Sequence, residues 1–131
     1  MRTSDELIVY LDTIRTHLIA HRLPAPVGVS AAVWKGCVQV QLAGLDLPEL
    51  AGELVAWART LHGPTAEIVR TSDGKRVLLT VVGRLASGLV VHAWGAVRFD
   101  AVTFPDLPIA VEQEVAVAAL HGWAASKGVA A

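Results

Sequence analysis

The sequence contains no asparagine, one cysteine, one methionine and one tyrosine, and only 18% of its 131 residues are charged. A lone thiol, Cys37, closes no internal disulfide, which excludes the cross-linked frameworks of small secreted domains and favours a reducing, cytoplasmic setting. No run of about 18 uncharged apolar residues occurs, so a membrane-spanning helix is not expected. At the start, Met1-Arg2-Thr3-Ser4-Asp5-Glu6 leads into an apolar stretch broken by Asp12, Arg15 and His17, unlike the continuous centre of a signal peptide. Eleven Lys and Arg against twelve Asp and Glu give a net charge of -1, which argues against a dedicated nucleic-acid binder. Phosphate-binding motifs are missing too. Gly83 to Gly88 has spaced glycines but falls in an expected strand and turn, and it does not open a helix.

What the chain does have is apolar material. Hydrophobic residues make up 53% and the mean hydropathy is +0.51, enough for one core in one domain spanning residues 1–131. Abundant Ala, Val and Leu, with Arg exceeding Lys, fit a GC-rich bacterial genome.

Periodicity sets out the elements. Thr3-Ser4-Asp5-Glu6 reads as a capping box, and Leu7, Leu11, Ile14 and Leu18 recur at helical spacing, so a first helix is expected to end before Pro24. From Val27 to Trp34 the period becomes two. Lys35-Gly36 then suits a tight two-residue turn into Cys37–Leu42, with Val38, Val40 and Leu42 inward and Gln39 and Gln41 wet. Asp46-Leu47-Pro48-Glu49 starts a second helix with the stripe Leu50, Leu54, Trp57 and Leu61, stopped by Gly63-Pro64. Three extended runs follow, Thr65–Thr71, Lys75–Leu85 and Leu89–Phe99, joined by short Gly-containing links that imply an antiparallel meander. A third helix is expected over Glu112–Ser126, with Val115, Ala119 and Trp123 on one side and Gly128 as its stop. The pattern predicts an α+β domain in the order α-β-β-α-β-β-β-α, with a single antiparallel sheet of about five strands and helices on one face. The first hairpin is free to join either edge of the meander.

One feature breaks the usual rule for a half-solvated sheet. If Val77, Leu79, Val81 and Leu89, Val91, Ala93 face the helices, the opposite side carries Arg76, Leu78, Thr80, Val82, Arg84 and Val90, His92, Trp94, Ala96, Arg98. That side is apolar in the middle and cationic at its ends, where polar residues would be expected. Three covers compete: the third helix or the Pro105–Pro108 loop, a second copy of the chain, or a small ligand in a pocket with Thr80, His92 and Arg98 as its polar groups.

Candidate chemistry is sparse. His17 and His21 are spaced to share a helix face, but without a third ligand or an intervening Glu they do not define a metal site, and no cofactor is expected. His92 is the histidine most open to a shifted pKa, with Glu67 or the hydroxyl of Thr80 as candidate partners. Cys37 has no adjacent base and reads as a filler residue. Glu112 and Glu114 diverge if the segment is helical. Trp57 and Trp123 fit core stripes, and Trp34 flanks the hairpin turn. The sequence therefore favours a non-enzymatic interaction protein, a homodimer or protein binder, that uses Leu78, Val82, Val90, Trp94 and Arg98. The alternative is a ligand-binding or enzymatic pocket centred on His92, Trp94, Thr80 and Arg98, with no catalytic or metal residue assigned.

Overall fold

Strict alternation of burial along residues 76–84 and 90–98 places every odd residue from Val77 to Gly83 and from Val91 to Val97 inside, and leaves the even residues on the other side. A sheet whose one face is packed and whose other face is not covered by a helix produces this pattern. The computed structural model describes residues 4–126. Helix α1 (Ser4–His21) is followed by strands β1 (Gly28–Ala32) and β2 (Cys37–Gln41), helix α2 (Leu47–Ala58), strands β3 (His62–Arg70), β4 (Arg76–Arg84), β5 (Val90–Arg98) and β6 (Gln113–Val115), and helix α3 (Val117–Ala125). The capping residue expected at Thr3 and the stop expected at Gly128 lie outside the described residues.

The α+β class and the three helices agree with the sequence reading, whereas the sheet does not. Among the described residues it has six strands in the order β1-β2-β5-β4-β3-β6, and β2 pairs with β5 in parallel, so it is mixed rather than purely antiparallel. The parallel pair follows from connectivity. Helix α2 carries the chain from β2 across the sheet to β3, which runs the same way as β2, and β4 and β5 then fill the gap between them. The extra strand comes from the segment expected to begin the last helix: Gln113–Val115 pairs with Ala66–Ile68, and only from Val117 does the chain coil.

Two further boundaries differ. Val33–Lys35 form one 3-10 turn, closed by the amide of Gly36 donating to Val33 O, instead of a two-residue turn, and Gly36 takes the left-handed conformation (φ 66°) that a Cβ would strain. Helix α2 ends at Ala58, so Leu61 reaches the core from a turn, while Gly63 and Pro64 sit in β3 at a register shift between His62 and Thr65. The bulge accommodates a proline that cannot donate to the ladder.

Side chains from Leu50, Leu54 and Trp57 on α2, Leu120 on α3, and Val38, Val40, Leu79, Val81 and Val91 on the sheet form the fully buried centre. Small residues let α2 lie close. A Cβ on Gly83 would stand 2.7 Å from Leu61 Cβ, and one on Gly95 would overlap Leu50. Asp46 caps α2 by accepting from the Glu49 amide at 2.8 Å. Helix α1 is the exception to good packing. Of its expected stripe, Ile14 is buried and Leu18 half-buried, but Leu7 and Leu11 are 39% and 41% exposed, because the helix rests on the sheet margin by one narrow line.

Candidate functional site

The unhelical face of the sheet is built in transverse rows set by strand register. The middle row runs Gly28, Gln41, Trp94, Thr80, Glu67, Glu114 from β1 to β6. The next row toward the start of β5 holds Ser30, Gln39, His92, Val82 and Thr65, and the row on the other side holds Ala96, Leu78 and Val69. Arg76 and Arg98 oppose each other at one end, and Arg84 opposes Val90 at the other.

Leu78, Thr80, Val82, Val90, His92 and Trp94 are all half-buried on this face, and Arg98 is exposed at its end. The structure thus brings the seven residues singled out from sequence onto one surface. Partial burial comes from lateral contact within the sheet. Helix α2 packs on the opposite side through Leu50, the turn after it adds Leu61, and α3 contributes Leu120 to that same core, so among the described residues no helix covers the open face. The Pro105–Pro108 loop is held elsewhere. Phe104 and Leu107 are buried in the core, Phe104 meets Trp123 edge-on at 5.5 Å, and Arg70 stacks on Phe99 at 3.6 Å while donating to Leu107 O at 3.3 Å.

Hollows ring the centre of the face without covering it. One of about 390 Å³ is lined by His62, Val82, Arg84 and Val90, one of about 460 Å³ by Leu45, Lys75, Arg76, Ala96 and Arg98, and one of about 190 Å³ by Ser30, Gln39, Gln41 and Trp94. Of the three polar groups a central pocket would use, Arg98 lines the second of these hollows, while Thr80 and His92 line none of the three.

His92 does not meet the partners considered for it. It lies between Gln39 and Val82, whereas Thr80 is opposite Trp94 and Glu67 is opposite Thr80, one row away. Burial, and then the charge of Lys35, hold its imidazole below the ordinary value. Cys37, opposite Val90, is buried. The two residues are not joined by a hydrogen bond among those described, and no nucleophile and base are held together here. Among the described residues no group of three or more His, Cys, Asp and Glu side chains could hold a metal ion. His17 and His21 do approach, with ring centroids 4.5 Å apart, but His17 Nε2 is engaged with Thr60 Oγ1 at 2.8 Å and its ring lies 5.6 Å from Trp57. That pair is a packing feature of α1 on α2.

Sequence reasoning missed one charged component of the face. With residues 113–115 extended rather than helical, Glu112 and Glu114 converge on Glu67 instead of diverging, and contact with Glu112, burial and the charge of Glu114 raise the Glu67 carboxyl above its ordinary value. The alternation of Val111, Gln113 and Val115 with the two acids is the signal that marks the extended segment.

Compared with known protein families, with characterised proteins and with solved structures, the chain gives no significant match. No helix of the described residues is long and apolar enough to cross a membrane.

Proposed function

We propose that this is a non-enzymatic protein-interaction module that self-associates through the open face of its sheet. One observation carries the reading: Leu78, Trp94, Val82 and Val90 follow one another diagonally across β4 and β5, around Thr80 and His92, on a face over which no described helix lies. Size supports it. Strands about 4.8 Å apart, three of nine residues, two of five and one of three, at about 3.3 Å per residue, give a face on the order of 600 Å². A standard interface buries about 800 Å² per partner, so a second copy would occupy nearly the whole surface. Residue types also fit: an aromatic and aliphatic centre with arginine at the margin is the usual anatomy of an interface. Cytoplasmic location and bacterial origin belong to the same reading and rest on composition alone.

A small-molecule pocket on the same face is less well supported, because the hollows surround Thr80 and His92 instead of enclosing them. Light scattering on wild type and Trp94→Asp separates the two. The wild type is expected to have twice the chain mass and the variant the mass of a single chain, with its far-ultraviolet circular dichroism retained. A monomeric wild type, or a dimer indifferent to Trp94→Asp, would refute self-association through this face.

A further inference from the structure

Glu67, Glu112 and Glu114 crowd together on one flank of the open face, and no ion pair among the described residues joins them to a cation. Arg76 and Arg98 are paired side by side at one strand end, both exposed, with like charges directly opposed. Asp73 in the turn accepts from Thr71 Oγ1 and the Lys75 amide at 2.6 and 2.9 Å, and its single charge is shared between Lys75 and Arg76, which leaves this strand end net positive. Each cluster is electrostatically unfavourable in a lone chain. They lie at right angles about the centre of the face.

Their distances from that centre match. Arg76 and Arg98 are four residues along their strands from the Thr80–Trp94 row, about 13 Å at about 3.3 Å per residue. Glu114 lies in that row on β6, about two and a half strand spacings from the line between β4 and β5, or about 12 Å. Sheets pack face to face either nearly aligned or nearly orthogonal. In aligned two-fold packing, arginine ends would meet arginine ends. Turning one sheet by about 90° about its own normal removes that clash and places the carboxylates of each copy over the arginine pair of the other.

We infer that two copies pack their open faces with strands crossed at a near right angle, the Glu67–Glu112–Glu114 flank of each meeting the Arg76–Arg98 pair of its partner. This rests on the self-association proposed above and adds its geometry and charge code. The contact occurs twice by symmetry, as an isologous interface requires. Arg84, at the other strand end, then falls over the partner's β1 near Gly28, where no side chain obstructs it. The crossing of the opposite diagonal would instead pair Arg84 with the acids and leave Arg76 and Arg98 unmatched, neutralising one arginine per cluster instead of two.

The test uses two charge-reversed proteins, Arg76→Glu/Arg98→Glu and Glu112→Arg/Glu114→Arg, all four positions being exposed. Each alone is expected to dimerise at least about tenfold more weakly than wild type, because like charges then face each other. Mixed one to one, they are expected to form a heterodimer at least as tight as the wild-type dimer, which sedimentation velocity resolves and which folded protein alone can give. Arg84→Glu is expected to leave the dimer within about threefold of wild type. Unchanged dimerisation of both double variants, no heterodimer on mixing, or loss of the dimer in Arg84→Glu alone would overturn the crossed arrangement. If Trp94→Asp is nevertheless monomeric in the same runs, the interface reading survives and only the crossing fails; if Trp94→Asp remains dimeric, both fail.

Discussion

Gly44 has no room for a side chain. A Cβ there would stand 2.7 Å from both the Cα and the amide nitrogen of Leu50 and 2.8 Å from Glu53 Oε1, the oxygen that accepts the Gly44 amide at 2.6 Å. Two of those atoms are backbone and cannot swing aside, so Gly44→Ala is expected to destabilise the fold by about 2 kcal/mol, an overpacking cost read from urea unfolding. His17 makes a different prediction. Burial first, and His21 second, hold its imidazole below 6.5. As pH falls through about 6.5 the unfolded chain takes up this proton before the folded chain does, so stability declines over that interval and the loss is complete below the folded-state value. The melting temperature is expected to drop between pH 7.5 and 5.5. His92 is shifted the same way, so His17→Gln should remove part of the drop and His17→Gln/His92→Gln most of it. At this scale the sequence was informative where alternation was strict: all seven face residues landed together. It was silent where contact depends on register, which is why neither Glu67 nor Thr80 turned out to lie beside His92.

Among the elements, α1 is the one whose pattern misleads. Leu7, Leu11, Ile14 and Leu18 have ideal spacing, yet Ile8, Val9 and Ile19 are 54%, 59% and 71% exposed beside them, and only Ile14 is sealed. A helix that is apolar around much of its circumference does not reveal from spacing alone which line will be buried. With so little buried surface it should open before the rest. Amide hydrogen exchange is expected to be at least about 100-fold faster across α1 than in β4 and β5, a difference that mass spectrometry of peptic fragments measures. The last segment failed for another reason. Ala-rich composition favours a helix, but residues 113–115 find a free edge on β3, and pairing with it outweighs intrinsic propensity. That edge was free because the hairpin joined β5 instead, a choice the sequence leaves open.

For the whole molecule, the parallel contact of β2 with β5 has a consequence during synthesis. The partner residues Val38 and Val91 are separated by the helix and two strands that must be made first, so the first hairpin leaves the ribosome with one side unmatched and stays so until residue 98 has emerged. Through that interval a chain more than half apolar presents an open ladder of amides and carbonyls to its neighbours. Yield in cells should therefore depend on how quickly the ribosome passes from codon 42 to codon 98, a vulnerability that vanishes once the last central strand slots into place.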